Sequence, residues 1–198
     1  SRAPRAHLVR LGLLAWLAYC FAHLAFGARF GPVFLLYVAG TGLAGFGFLD
    51  GFVRTDLAGQ AMAPRFPARL AAAFFGLAGL GIAVLWLSEI VPGVMGLAVP
   101  SNLHLGGLPN PTWVLDRAWL IPWALATAWQ LVRRHPAAYL NSVVLLVLLC
   151  ALSVAMLAVT PFVLAVGLGS DPVAGPQVVA FSVVFGVLGA IEAVLLRL

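Results

Sequence analysis

The stretch Leu108–Pro122, LPNPTWVLDRAWLIP, decides how the rest of the chain is interpreted. Turn-forming residues give way here to an apolar helix, and Asp116 and Arg117 lie just inside its start. Pro122 interrupts the same apolar run, where we expect it to kink the helix and free a carbonyl one turn earlier. Charged side chains on such a helix are costly in lipid, so they are candidate functional residues.

The composition around this stretch is that of a membrane protein. Of the 198 residues, 63% are hydrophobic and 9% are charged, whereas roughly 25% of the residues in a soluble domain are charged. The apolar runs have about 18 to 23 residues, which suffices to cross a hydrocarbon core of about 30 Å at 1.5 Å per residue. The sequence therefore predicts an all-α fold, a polytopic bundle of transmembrane helices.

Six transmembrane spans are predicted, and we expect them to form a single domain over 1–198. The spans lie at about 8–27, 32–49, 70–91, 113–132, 138–160 and 178–196. Residues 28–31 allow only a tight turn, so the first two spans form a helical hairpin. Residues 50–69 are the most polar loop, and 92–112 contain too much proline and glycine to span, so we expect them on the membrane surface or folded over the bundle.

The arginines indicate which way the bundle faces. The chain has eleven basic residues and a net charge of +5, and all eleven are arginine. With both termini in the cytoplasm, nine arginines lie on the inner side and only Arg29 and Arg117 lie on the outer side. The basic balance thus predicts N-in and C-in orientation in a bacterial cytoplasmic (inner) membrane, and it does not indicate a nucleic-acid partner.

Small residues four positions apart predict where helices meet. Lipid removes the hydrophobic drive between helices and leaves close backbone contact as the main attraction. The predicted contact faces are Gly40 with Ala44, Ala72 with Gly76, Gly79 with Ala83, and Ser182 with Gly186 and Ala190.

Five polar residues are predicted near the outer boundary: His23, Glu89, His104, Asp116 and Arg117. They share this depth because the third span runs outward and the fourth runs inward. In one interpretation they are structural, with Arg117 paired to an acid and Asp116 stabilising the positive start of its helix. In the other they form an outward-facing pocket for a small ligand or ion. Both interpretations stay open at this point.

The remaining polar residues give less specific signals. His23 has the depth of a haem or chlorophyll ligand, but a lone histidine on a membrane helix more often makes an interhelical hydrogen bond. Glu192, near the end of the last span, is interpreted as an anchor at the inner boundary. No HxxxH or HxH spacing supports a metal site, no cofactor is assigned, and no nucleotide-binding or hydrolase motif supports catalysis.

Several motifs resemble a widespread group of small bacterial integral membrane proteins with no assigned activity. The resemblance covers the chain up to about Val147, and its motifs are GLLAWLAYCFAHLAFGARFGPVFLLYVA at 12–39, WLSEIVPG at 86–93, NPTWVLDRAWLIP at 110–122 and RRHPAAYL at 133–140.

The resemblance implies that Trp86, Glu89, Leu115 and Asp116 belong to a recurring pattern of that group. Arg117 departs from the pattern, since an apolar residue is more usual at its position. If Arg117 neutralises Glu89 or Asp116, a proton or cation role for those acids is in doubt in this chain.

Two classes of function follow as expectations. The first is a non-catalytic accessory or structural subunit that lies in the lipid bilayer and packs against other membrane proteins or a second copy. Its small-residue faces and the scarcity of polar groups at midplane favour it. The second is a ligand- or ion-binding or transport protein whose site is the outer cluster near Glu89 and Asp116.

Overall fold

The computed structural model describes residues 2–55, 66–100, 109–165 and 174–197. These residues form helices joined by turns, with no strand among them, which confirms the all-α prediction. The helices are α1 Arg2–Gly27, α2 Phe34–Val53, α3 Ala68–Val94, α4 Pro111–Leu115, a π-helical turn Asp116–Leu120, α5 Ile121–Val132, α6 Ala138–Ala165 and α7 Ala174–Arg197.

Four of the helices are long and apolar enough to cross a membrane: Arg5–Gly27, Phe34–Val53, Ala68–Val94 and Ala138–Ala165. Their outward surfaces carry large apolar side chains that would associate in water. On α2, for example, Leu35 is 75% exposed, Leu43 77% and Phe46 76%. Lipid is the solvent in which such a surface is stable, so the predicted membrane class is confirmed by both helix length and surface.

Helix α2 continues past the predicted end at residue 49 to Val53. Asp50 therefore lies in the helix rather than in the polar loop. Its carboxylate accepts a hydrogen bond from Arg54 Nε at 2.6 Å, one turn later. Both side chains are exposed, so the ion pair adds only a few tenths of a kcal/mol, about 0.3–0.5, to the last turn.

Helix α6 passes the predicted end at residue 160 and runs through Pro161 to Ala165. Proline removes one helical N–H, but membrane helices tolerate it when neighbouring groups satisfy the backbone. Thr160, the residue before it, donates from Oγ1 to the Met156 carbonyl at 3.1 Å, a bond made within the helix. The proline is therefore not a helix end here.

Helix α3 likewise includes Pro92 and ends at Val94, one turn beyond the predicted residue 91. Gly96 follows in the left-handed region with φ +69°, and the Leu97 N–H donates to the Pro92 carbonyl at 2.9 Å. This is a Schellman ending, for which glycine is the favoured residue because it has no Cβ to clash.

The chain divides into two compact units. One consists of the described residues of Ser1–Trp16 and Val143–Leu198, and the other is Leu17–Ser142. The prediction of one domain over 1–198 stays a prediction.

In the larger unit α3 packs along α5. Its apolar centre is formed by Trp86, Trp113 and Ile121, each less than a tenth exposed, with Ile82 and Leu125 packed against them. Two of its members, Trp113 and Ile121, flank the π turn in sequence.

Small residues create two of the predicted contact faces in this unit. A Cβ built on Gly40 would lie 2.6 Å from the Phe21 ring, and one on Gly79 would lie 3.1 Å from Leu125 Cδ2. The approach at Gly40 requires glycine, which confirms that predicted face of α2, and Gly79 is in close contact with α5 through the flexible end of Leu125.

In the smaller unit the contact lies elsewhere on α7 than predicted. A Cβ on Gly186 would meet nothing within 4 Å in the described chain, whereas one on Gly189 would lie 3.2 Å from Ser153 Cβ. Gly189, not Gly186, is thus the close-approach residue of α7. Of the predicted face, Ser182 does meet α6, since its Oγ lies 2.9 Å from Thr160 Oγ1, whereas Gly186 does not. The spacing of small residues alone does not show which of them faces α6.

Candidate polar site at the π turn

The helix that carries the candidate site begins with Asn110 as its N-cap. The Asn110 side chain accepts a hydrogen bond from the Thr112 N–H at 3.0 Å, and Pro111 occupies the first helical position, where its missing N–H costs nothing. The prediction that Asp116 stabilises the helix start is therefore wrong, because Asp116 lies more than a turn inside the helix and Asn110 caps it.

Asp116 opens a π-helical turn that ends at Leu120. The Ile121 N–H donates to the Asp116 carbonyl, five residues back rather than four. Pro122 follows directly and has no N–H to offer the Ala118 carbonyl. The expected disturbance before Pro122 thus takes the form of a π turn, a feature that is frequent at functional sites.

The Asp116 side chain is buried, with 5% of the residue exposed, and both of its oxygens accept hydrogen bonds. Tyr19 Oη donates to Oδ1 at 2.7 Å and Trp86 Nε1 donates to Oδ2 at 2.7 Å. Tyr19 is 5% exposed and Trp86 8%. One carboxyl group therefore joins α1, α3 and the π turn in the larger unit.

Arg117 follows Asp116 but has a different environment. Neighbouring residues on a helix point about 100° apart, and the Asp116 oxygens are occupied by Tyr19 and Trp86. The ion pair that the described residues form within 4 Å is Asp50 with Arg54, which does not involve Arg117. Arg117 was predicted to pair with Glu89 or Asp116, and the structure shows no such pair with Asp116. Arg117 Nη2 is buried and has no hydrogen-bond partner in the described chain.

His23 and Glu89 lie on the helices that bind Asp116. His23 Nδ1 is 3.4 Å from Thr112 Oγ1, so it joins α1 to α4 as the hydrogen-bonding interpretation predicted. Glu89 is half-buried on α3, three residues after Trp86. His104 lies outside the described residues. Ligation of a pigment by His23 and a shared site for all five residues stay predictions.

A cavity of about 660 Å³ lies where the end of α3 faces the start of α4. Among the described residues that line it, Arg117 is the charged one; the others are Ile90, Gly93, Val94, Pro100, Pro109, Trp113, Val114 and Ala118. Trp113 is 6% exposed, and its Nε1 has no hydrogen-bond partner in the described part of the chain. The cavity therefore combines apolar walls with two residues that carry unpaired donors.

Tyr19 is a site residue that was not predicted from the sequence. The only local signal was its position four residues before His23 on the same helical face, where side chains meet. Trp86 was singled out only by the resemblance to the bacterial group, and its Nε1 is one of the two donors to Asp116.

Glu192 was also misinterpreted as a boundary anchor. It is 1% exposed, and Ser153 Oγ donates to its Oε2 at 3.2 Å. Gly189, about one turn earlier, lets α7 approach α6 closely enough for this bond. The smaller unit thus has a buried carboxyl group of its own.

Comparison with protein-family models, with curated proteins and with solved structures gives no match for this chain. Within the described ranges, no group of three or more His, Cys, Asp or Glu side chains is arranged to hold a metal ion. The function must therefore be argued from the helices, the Asp116 network and the cavity.

Proposed function

We propose that this chain is a six-span protein of the bacterial inner membrane, with both termini in the cytoplasm, that acts as a non-catalytic accessory subunit packed against other membrane proteins or a second copy. The observation that carries the proposal is the uncovered small-residue face of α7. Gly186 and Ala190 lie on this face beside Val183 and Val187, which are 61% and 55% exposed.

This face has the composition of a helix–helix contact without a partner in the described chain. A Cβ at Gly186 would have open space around it, so no close approach within the described residues explains the glycine. Small residues four apart on membrane helices allow backbones to come together. A helix from another chain is the element that such a face accommodates.

Two further helical segments support the six-span topology, in addition to the four helices that are long and apolar enough to cross a membrane. Helices α4 and α5 are joined through the π turn into one helical run from Pro111 to Val132, long enough for a core of about 30 Å at about 1.5 Å per residue. Helix α7 has 24 residues. The distribution of arginines supports the orientation.

The topology is tested by labelling single cysteines in intact cells. In a background without Cys20 and Cys150, we expect a cysteine at Ala28 to react with a membrane-impermeant maleimide and one at Thr55 to react only after lysis. Labelling of Thr55→Cys in intact cells would contradict the orientation.

The Asp116 network supports a structural rather than a reactive role for that acid. Both carboxyl oxygens accept from donors of the same chain, at 2.7 Å each, and the residue is buried. An acid that reacts with substrate or exchanges ions needs an open position, and this one uses both oxygens to join helices.

The accessory role is tested by crosslinking in the native membrane followed by native mass spectrometry in mild detergent. We expect wild type to retain a stoichiometric protein partner and Gly186→Leu to lose it while staying folded, because the site is open. Gly45→Leu is the matched control, since Gly45 in α2 also has nothing within 4 Å in the described chain. A wild-type chain that is monomeric in both measurements, or a Gly186→Leu variant that keeps the partner, would refute the role.

A second function is binding or transport of a small ligand or ion near Glu89 and Asp116. It is favoured by the cavity, because Arg117, the neighbour of Asp116 in the sequence, lines it. It predicts that Glu89→Gln and Asp116→Asn fold normally and lose ligand. Variants that fail to accumulate would instead support the structural role of these acids.

A further inference from the structure

The cavity between the end of α3 and the start of α4 has the polarity of a site for an amphiphile. Its volume of about 660 Å³ lies within the range of about 300–1,000 Å³ typical of small-molecule pockets. Apolar side chains such as Ile90, Val94 and Val114 form most of the described wall, and Arg117 is the charged residue within that part of it.

Two donors at this cavity have no acceptor in the described chain. They are Arg117 Nη2 and Trp113 Nε1, and both atoms are buried. The two residues are four apart, a spacing that places side chains on one face of a helix. A buried donor without a partner is unfavourable, and more so when it is charged. The site thus lacks an anionic group that accepts hydrogen bonds.

The neighbouring acid does not supply that group. The Asp116 oxygens accept from Tyr19 and Trp86, and no ion pair involving Arg117 is formed with the other described residues. The charge of Arg117 is therefore left for a ligand.

We propose that this cavity binds an anionic phospholipid of the surrounding membrane. The lipid phosphate accepts from the Arg117 guanidinium and the Trp113 indole N–H, and the upper acyl chains lie along Ile90, Val94 and Val114. A guanidinium suits phosphate because it offers several donors in one plane.

The position of the cavity favours a lipid over a soluble anion. Gly93 and Val94 end α3, and Pro109 precedes α4, so the site lies where two membrane helices end and headgroups are found. Arginine and tryptophan are the residues that anchor proteins at this level. A free inorganic anion would leave the apolar walls without a partner. The inference rests on the membrane-spanning part of the proposed function and not on the accessory role.

The test uses the full chain purified in mild detergent and exchanged into nanodiscs that contain palmitoyl-oleoyl phosphatidylglycerol and palmitoyl-oleoyl phosphatidylcholine in equal amounts. Lipids that remain bound after release from the discs are counted by native mass spectrometry. We expect wild type to retain one phosphatidylglycerol in preference to phosphatidylcholine.

Arg117→Gln is expected to lower phosphatidylglycerol retention by about 10- to 100-fold, the factor that loss of a charged hydrogen bond gives. Arg29→Gln is the matched control, because Arg29 is exposed and lies on the same predicted side. Trp113→Phe should lower retention less, and Trp129→Phe, at a position 60% exposed, should not change it.

Ala118→Leu keeps both donors but fills part of the cavity, so it tests the site even if Arg117→Gln folds poorly. We expect it to lower phosphatidylglycerol retention. Equal retention of the two lipids by wild type, or undiminished retention in both Arg117→Gln and Ala118→Leu, would overturn the proposal. Displacement of the lipid by millimolar inorganic phosphate would also overturn it, since the site would then take a free anion.

Discussion

Replacing Asp116 by leucine gives the most direct measure of what the buried carboxyl group contributes. Leucine has as many side-chain heavy atoms as aspartate and is bulkier, so the change removes the acceptor without opening a cavity. It leaves Tyr19 Oη and Trp86 Nε1, which now donate at 2.7 Å, without a partner in the interior of the larger unit.

The expected loss follows from the number of stranded donors. An unpaired buried donor costs about 1–3 kcal/mol, but hydrogen bonds in membrane proteins average about 0.6 and reach about 1.7 kcal/mol, because the unfolded chain in lipid also finds partners. Because Asp116 is an acid and only 5% exposed, we expect the energy of each of its two hydrogen bonds to lie at the upper end of that range. Asp116→Leu should therefore lower the free energy of unfolding by about 2–4 kcal/mol.

A double-mutant cycle isolates one of the two bonds. We expect Tyr19→Phe to cost about 1–2 kcal/mol in wild type and close to nothing in the Asp116→Leu background, which is a coupling of about 1–2 kcal/mol. Tyr37→Phe is the control, because Tyr37 lies outside this network and its cycle with Asp116→Leu should be additive.

The assay is reversible unfolding by dodecyl sulfate in mixed micelles, followed by far-ultraviolet circular dichroism, which reports loss of helix. A coupling below about 0.3 kcal/mol, the usual error of such cycles, would refute the structural role of Asp116. An Asp116→Leu variant as stable as wild type would do the same.

Three further predictions use the same unfolding assay. Gly12→Ala should destabilise by about 1–3 kcal/mol, because its Cβ would lie 2.5 Å from Val147 Cβ; a neutral effect would show that α1 and α6 separate easily there. Arg134→Gly should stabilise by about 1 kcal/mol, because Arg134 has φ 52° and glycine adopts this left-handed conformation without steric cost; lower stability would mean that the arginine side chain contributes more than the strain costs. Ser153→Ala should lower the unfolding free energy by about 1 kcal/mol through loss of the 3.2 Å bond to Glu192, and an unchanged midpoint would mean that Glu192 is satisfied without it.

The positions of the helices could be predicted from the sequence because a membrane-spanning run has a minimum apolar length. Their ends could not, since each end depends on a local contact. Helix α2 extends to Val53 beside the Asp50–Arg54 pair, and α6 continues through Pro161. A proline commonly ends a helix in water and a charged residue ends an apolar run, whereas these membrane helices continue through both.

The candidate site was predictable in part for a similar reason. Asp116 is conspicuous in an apolar helix because burying it is costly. Its partners are not conspicuous, since Tyr19 and Trp86 are ordinary residues of membrane helices and lie 97 and 30 positions away in the chain. Which residues meet depends on the rotation of each helix, and the sequence of one chain does not specify that rotation.

The π turn is one reason why the faces of this helix could not be assigned from the sequence, although the helix itself was predicted. A face assigned from 3.6 residues per turn assumes a regular helix from Trp113 onward, yet the Ile121 N–H bonds to the Asp116 carbonyl five residues back. The wider turn changes the angle between residues on its two sides. Residues after Pro122 are thus rotated relative to the regular pattern. Trp113 and Arg117 lie before most of this change, so their spacing of four residues still places both on the face that lines the cavity. Asp116 thus holds the helices together, while Arg117, about 100° away around the helix, lines the cavity.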